Sequence, residues 1–255
     1  MQNNDRKTER TAGRHGLRKI LITNDDGIYA DGLIRLVKAA KKYGEICVVA
    51  PESQRSASSH SITLHSTLDV FPADFPDKDV KAFFCCGTPA DCVRVGLRYI
   101  LSEKPDAVLS GINFGYNVAT DLQYSGTAAA ALEASFQGIP AIAFSENASA
   151  LHEVTDHYLE PILSRLLLMP AGDQKIWNVN FPGCPLSECR GVLYDRKVSG
   201  GKIFDDHYIR QEEIENGGVR VLVRGVRDER AEEGTDLHAV NNNYVSVGKV
   251  NNIGF

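Results

Sequence analysis

The stretch Ile20-Leu21-Ile22-Thr23-Asn24-Asp25-Asp26-Gly27 decides how the rest of the chain is read. A short apolar run stops at two adjacent carboxylates and a glycine. The run has the length of a buried central strand, and the carboxyl end of such a strand is where open α/β sheets assemble their sites. Neighbouring carboxylates at one edge repel each other unless a positive charge lies between them, and a hard divalent cation meets that need. The same residues also read as a plain strand-to-helix turn, with the aspartates capping the helix and Gly27 supplying a positive φ. Both readings stand at this level.

Outward from this stretch the chain keeps a βα rhythm. A strand over 19–23 is followed by a helix from about Asp31, with Leu33, Leu36, Val37 and Ala40 on one face and Gly44 as its stop. Next come a strand over 46–50, a serine-rich loop over 51–61, and an alternating stretch with Ile62, Leu64, Leu68 and Val70 on one face. Residues 80–86 read as another strand. Thr88-Pro89-Ala90-Asp91 predicts a helix start, with Thr as N-cap, Pro at the first helical position and Asp three residues after the cap. Val93, Leu97, Ile100 and Leu101 are that helix's expected buried stripe.

A strand over 107–110 then feeds a glycine- and asparagine-rich loop over 111–124. A small-residue helix runs from about Ser125 to Gln137 and is closed by Gly138. A strand over 140–145, a helix over 154–169 with Pro161 in or near its first turns, and a strand over 176–181 complete the series. Strands separated by helices imply an α/β fold: a Rossmann-like, mainly parallel sheet flanked by helices.

The expected organisation has three parts. Residues 1–16 are polar, without periodicity, and read as a disordered extension. Residues 17–185 form the Rossmann-like core. Residues 186–255 form a β-rich extension with turn signals at Gly200-Gly201 and Asn216-Gly217-Gly218, the second followed by Val219-Arg220-Val221-Leu222-Val223. That segment is too thin in apolar residues for its own core, so it is expected to pack as an arm on the main domain or on a partner subunit.

Bulk properties narrow the class. A hydrophobic fraction of 43% in 255 residues supports a sizeable core. A net charge of −5 argues against a nucleic-acid duplex or an anionic membrane as the main partner. No apolar run approaches the ~20 residues of a membrane span, and the first residues lack the apolar centre of a secretory signal. The six cysteines show no Cys-x-x-Cys pair or zinc spacing, and read as reduced, buried thiols. A cytoplasmic location is expected.

Loops leaving the carboxyl ends of parallel strands share one rim, so Asp25-Asp26, the 51–61 loop, the 111–117 loop and Ser125-Gly126-Thr127 should converge. Hard oxygen donors of this kind suit Mg, Mn or Ca rather than zinc. Ser125-Gly126-Thr127 opens a helix, which makes it an anion site through free N–H groups, or an ordinary serine cap. His60 is a candidate general acid or phosphate contact, and Arg55 a candidate phosphate partner or a solvated cation. The other histidines, His152 among them, read as surface residues. No Walker loop, no G-x-G-x-x-G after the first strand and no Gly-x-Ser-x-Gly elbow is present. A phosphatase with an aspartyl nucleophile would separate its two aspartates by one residue, and here they are adjacent. Elimination favours metal-activated water attacking an anionic ester.

Five ordered motifs carry a resemblance. Thr23-Asn24-Asp25-Asp26-Gly27; Ala50-Pro51 with Arg55-Ser56 and His60-Ser61; Gly87-Thr88-Pro89-Ala90-Asp91-Cys92-Val93; Ser110-Gly111-Ile112-Asn113; and Tyr124-Ser125-Gly126-Thr127 resemble the SurE family of survival-protein nucleotidases. The likeness runs from about Arg18 to Pro182, with Asn178-Val179-Asn180-Phe181-Pro182 as its closing strand. It implies a divalent-metal-dependent phosphatase releasing phosphate from nucleoside monophosphates, at the 5′ and also the 3′ position. It implies further a Rossmann-like core and a C-terminal arm exchanged between subunits of a homodimer or homotetramer. The family's metal ligands fall on Asp25, Asp26, Ser56 and Asn113, holding one divalent cation (Mg, Mn or Ca) per subunit. Its phosphate-contacting segment falls on Ser125, Gly126 and Thr127, with Asn117 nearby. Asp25, Asp26 and Asn113 are then the catalytic candidates, Asp26 also as a proton acceptor. The alternative from another class is a non-catalytic nucleotide- or phosphate-sensing module that keeps the site without turnover.

Overall fold

The computed structural model describes residues 18–227 and 230–252, so the expected extension over 1–16 lies outside the described residues. Ile20, Leu21 and Ile22 are buried to 1% exposure or less because the strand that carries them, β1 (Arg18–Thr23), has a neighbour on each side and helices over both faces. The chain continues through α1 (Asp31–Ala40), β2 (Gly44–Pro51), β3 (Val70–Pro72), β4 (Lys81–Cys85) and α2 (Pro89–Val95). It then runs through β5 (Ala107–Phe114), α3 (Gly126–Phe136), β6 (Ala141–Glu146), α4 (Glu153–Leu168) and β7 (Lys175–Phe181). Last come β8 (Val192–Arg196), β9 (Phe204–Ile214), β10 (Gly218–Arg227), α5 (Asp236–Asn241) and β11 (Val245–Asn251).

Nine of these strands form one sheet in the order β3-β4-β2-β1-β5-β6-β7-β11-β8, parallel except where β3 meets β4 and β11 meets β7. Ile20 and Ile22 face α1 and α4, whose Leu33, Leu36, Ile162 and Leu163 complete one core. Leu21 faces the other layer, with Cys92 and Val93 of α2 and Ala128, Ala130 and Ala131 of α3. The mainly parallel α/β architecture is as the alternation of strand and helix predicts. Successive strands leave β1 first on one side, through β2 and β4, and then on the other, through β5, so the topological switch lies between β1 and β5.

Several local expectations need correction. Gly44 does not close α1 with a left-handed cap: its φ of 171° is extended, and it opens β2 against the Arg18 carbonyl. Residues 62–69 are irregular, with Leu64 exposed, and only Val70–Pro72 pairs as a strand. Pro161 sits well inside α4 rather than in its first turns. The strand expected to end at Ser110 continues to Phe114, with a register shift against β6 between Ser110 and Asn113. The α2 start is as expected: Thr88 accepts from Asp91 N–H, and the Asp91 carboxylate accepts from Thr88 N–H at 3.0 Å.

The chain after residue 185 splits into two kinds of structure. β8 and β11 join the main sheet, and Val245 and Val247 are part of its core. α5 packs Leu237 and Val240 on Val118 and Ala119, and the Asp236 carboxylate accepts from Ser199, Ala119 and Leu237 N–H. Among the described residues β9 and β10 pair only with each other, around a turn in which Asn216 and Gly217 take positive φ. Among the described residues no helix is long and apolar enough to cross a membrane.

Candidate active site

The turn after β1 is built by Asn24, whose side chain donates to the Gly27 carbonyl at 2.9 Å and accepts from Gly27 N–H at 3.2 Å. Gly27 takes φ +108°, a conformation that a Cβ disfavours. The turn is pinned to the serine-rich loop by Ile28 N–H on the Pro51 carbonyl and Arg55 N–H on the Asp25 carbonyl, at 2.9 and 2.7 Å. The aspartates do not cap α1. Its N-cap is Ala30, with no side-chain bond, and the helix begins only at Asp31. The capping reading of the opening stretch is thereby overturned.

Asp25 is buried at 4% exposure. One of its oxygens accepts the Thr127 hydroxyl, and the Thr127 N–H also donates to the carboxylate. Burial pushes the Asp25 carboxyl up to about 6, against those two donors and with the neighbouring Asp26 charge adding to the rise. Burial also raises Asp26, whose carboxylate accepts Phe114 N–H at 2.9 Å and feels the Glu146 charge. Gln54 bridges to Ser56 Oγ at 2.9 Å and to Asp26 Oδ1 at 3.5 Å. Asn113 uses its amide N–H on the Gly115 carbonyl at 2.8 Å, which leaves its carbonyl oxygen available. Asp25, Asp26 and Asn113 therefore flank the switch between β1 and β5, and Ser56 joins them through Gln54.

At the start of α3, Ser125 is a true N-cap, accepting from Ala128 N–H at 3.0 Å. Gly126 is required by close approach: a Cβ there would lie 2.8 Å from Ser58 Oγ and 2.9 Å from Asp25 Cβ. The buried Ser58 Oγ has no hydrogen-bond partner among the described residues. Thr127 is turned onto Asp25 rather than outward.

Two other candidates face elsewhere. Asn117 is locked in a buried amide cluster: its N–H donates to Asn180 Oδ1, its side-chain N–H to Ser145 Oγ, and its carbonyl accepts from Asn178 and Asn180. His60 Nε2 lies 3.0 Å from Glu133 Oε2, with the ring stacked on Phe136, so it ties the serine loop to the flank of α3. Arg55 donates to the Cys86 carbonyl at 3.3 Å.

The donor set fits a hard divalent cation. Two carboxylates lie side by side, and none of the main influences on them is a positive charge. Ser56 Oγ is tied to Asp26 through Gln54, and Asn113 directly precedes the Phe114 N–H that Asp26 accepts. The sequence reading missed Gln54, the Phe114 N–H and Glu146. Glu146 had a signal, since it ends the apolar strand β6 with a carboxylate at the same rim where Asp25 follows β1. His152, read as a surface residue, lies with its Nδ1 3.1 Å from Glu146.

The family model described as "Survival protein SurE" matches residues 20–200. This chain belongs to the SurE family. The "5'-nucleotidase SurE" of Clostridium botulinum (strain Loch Maree / Type A3) is 38% identical over 233 residues, covering 89% of this chain and 90% of the relative. The SurE nucleotidase of Carboxydothermus hydrogenoformans is 43% identical over 186 residues, covering 70% of each chain. The solved SurE protein from Aquifex aeolicus superimposes with a TM-score of 0.79 at 34% identity, covering 93% of this chain and 94% of that one. The SurE match spans every rim element from β1 to the start of α3.

Proposed function

We propose that this SurE-family chain is a metal-dependent 5′-nucleotidase that hydrolyses nucleoside monophosphates, with activity on 3′-monophosphates as well. The observation that carries the reading is the link between the end of β1 and the start of α3: the Thr127 donors and the missing Cβ of Gly126 bring a helix N-terminus directly onto Asp25. A helix start beside a carboxylate pair suits an anionic ester next to a cation better than either alone. Asp25, Asp26, Ser56 and Asn113 would hold one divalent cation, Mg, Mn or Ca. When bound, that ion supplies Lewis-acid polarisation of the phosphoryl group and a lowered pKa for water.

The chain's own groups do the rest. Gly126 N–H and the Ser125 hydroxyl proton are the first-turn donors offered to phosphoryl oxygens, and each such donor is worth about 3 kcal/mol in the transition state. Thr127 holds Asp25 in place. Phe114 N–H and Gln54 hold Asp26, which is the candidate acceptor for the proton of the attacking water. Asn117 supports the loop from beneath. The nine apolar side chains exposed on the β9–β10 hairpin, among them Tyr208, Val221 and Val223, support a homodimer or homotetramer. Six free cysteines support a reducing, cytoplasmic setting.

The test is phosphate release from AMP with Mn or Mg and after chelation. Turnover that disappears in EDTA and returns with metal is expected. Full activity in EDTA overturns the metal mechanism, and saturable AMP binding with no product supports the sensing module instead.

A further inference from the structure

Where β4 turns into α2, two thiols that the proposed reaction does not use meet each other. Cys85 ends β4 and Cys92 lies in α2, both at 0% exposure in one core cluster. The Cys92 S–H donates to the Cys85 sulfur, and Gly87 N–H donates to the same atom. The Arg55 guanidinium lends its positive charge to both thiols, and its buried Nε has no hydrogen-bond partner among the described residues.

The contact with Cys92 leads these influences in pushing the Cys85 thiol down to about 7. A thiolate in contact with a second thiol has both parts of a reversible disulfide, an attacking sulfur and a resolving one. Cys47 sits in the same cluster without them: burial pushes it up to about 11, and no other thiol acts on it.

The turn between the two thiols is fastened to the serine-rich loop. The Asp91 carboxylate accepts Thr63 N–H at 2.9 Å and the Thr63 hydroxyl at 2.8 Å. The Thr88 hydroxyl donates to the Ser61 carbonyl at 2.7 Å, and Arg55 donates to the Cys86 carbonyl at 3.3 Å. Arg55 directly precedes Ser56 in the chain. Closing an S–S bond draws the sulfurs nearer than any thiol contact, so the end of β4 or the first turn of α2 must move, and the loop with it.

We propose that Cys85 and Cys92 are a peroxide-sensitive thiol pair, whose disulfide displaces the serine-rich loop and weakens cation binding at Asp25, Asp26, Ser56 and Asn113. The Cys85 thiolate attacks the O–O bond of a hydroperoxide. An S–O bond forms, the O–O bond breaks, and the leaving hydroxide takes up the proton that Cys85 shed. Cys92 sulfur then attacks Cys85 sulfur: the S–S bond forms, the S–O bond breaks, and the second hydroxide leaves with the Cys92 proton. Two thiols give up two electrons, and hydrogen peroxide becomes two waters. Burial sets the oxidant class, since a small hydroperoxide fits where a peptide disulfide does not; the exposed Cys86 takes the latter. The inference rests on the cation seat of the proposed function and adds a control to it.

The experiment treats the full chain with hydrogen peroxide and, separately, with glutathione disulfide. Free thiols are alkylated and disulfides mapped by peptide mass, and Mn affinity and phosphate release from AMP are read before and after dithiothreitol. Peroxide should give a Cys85–Cys92 bond first, and glutathione should attach to Cys86 alone. The peroxide product should bind Mn at least about fivefold more weakly, the lower end of ordinary coupling between sites, and dithiothreitol should restore it. Cys85→Ala and Cys92→Ala should each bind Mn as the unsubstituted protein does and lose the peroxide response, so either suffices if the other fails to fold. Cys86→Ser should keep the response. No disulfide, a first disulfide elsewhere such as Cys184–Cys189, or a Cys85–Cys92 bond that leaves Mn affinity within twofold overturns the proposal. A reduced chain that binds Mn but releases no phosphate from AMP overturns the phosphatase reading alone, because disulfide mapping and Mn affinity still decide the thiol pair. A reduced chain that binds no Mn overturns the cation seat and this coupling together.

Discussion

The rim at the end of β1 and the hairpin β9–β10 are built on opposite principles. At the rim, the buried carboxylate and amide groups are held by named partners, Asp25 by Thr127, Asp26 by Phe114 N–H, and Asn117 by Asn178, Asn180 and Ser145, although Ser58 Oγ has none among the described residues. In the hairpin, every residue of β9 is exposed, and among the described residues the two strands pair with nothing but each other. A satisfied, buried polar network fixes a geometry that chemistry can use. An exposed two-stranded ribbon carries apolar side chains without a core and gains stability only from a surface that covers it. The difference predicts that substitutions at the rim change turnover, whereas substitutions in the hairpin change assembly.

The largest effect is expected at Asp25. Asp25→Asn should lower kcat/KM for AMP by at least about 100-fold, since it weakens the cation seat and the link to the helix start together. Its thermal midpoint in metal-free buffer should hold or rise, because a buried charge whose carboxyl is pushed up to about 6 has been removed. A loss of both activity and stability would make Asp25 a fold residue and erase the contrast. Gly126→Ala comes next. Its new Cβ meets Ser58 Oγ and Asp25 at under 3 Å, so about 1–3 kcal/mol of stability and at least tenfold in turnover should be lost, read by thermal unfolding and phosphate release.

In the hairpin, Val221→Lys with Val223→Lys should leave the stability of the single chain within about 0.5 kcal/mol, as exposed substitutions do. The same pair should lower the mass measured by light scattering. An unchanged mass would mean that the ribbon is not an assembly surface.

The smallest effect is in pH dependence. The His60 contact holds the Glu133 carboxyl below its ordinary 4.5. A lowered folded pKa contributes stability that is present above the ordinary carboxylate value and is lost as pH falls through the folded one. Glu133→Gln should therefore show a shallower loss of stability below about pH 4.5, by less than about 1 kcal/mol. An acid limb identical to that of the unsubstituted protein would remove His60–Glu133 as the tie between the serine loop and α3.

The parts of this molecule that local chemistry specifies were legible in the sequence. The buried run ending at Asp25, the Thr88–Asp91 capping box, the Ser125 cap and the Asn216-Gly217 turn each follow from a few neighbouring residues. What tertiary packing decides was not legible. β11 lies in the β-rich extension expected to pack as an arm, yet it enters the main sheet itself beside β7 because Val245 and Val247 alternate toward a core laid down far earlier in the chain. β5 runs on past Gly111 because β6 pairs with it across a register shift. Pro161, expected in or near the first turns of its helix, sits in the middle of α4, where it leaves one backbone carbonyl without its helical donor. At the rim, the strand-end rule named the loops that the structure brings together, those after β1 and β5, the serine-rich loop and the start of α3. The direction of each side chain, such as Thr127 turning to Asp25 and His60 to Glu133, depends on helix and loop placement that spacing does not carry.

The central claim is that the carboxylate pair after β1 is a cation seat, and Mn binding measured by calorimetry on metal-free protein tests it most directly. One Mn per chain is expected, lost in Asp25→Asn and weakened in Ser56→Ala and Asn113→Ala. Unchanged stoichiometry and affinity in Asp25→Asn would contradict the account.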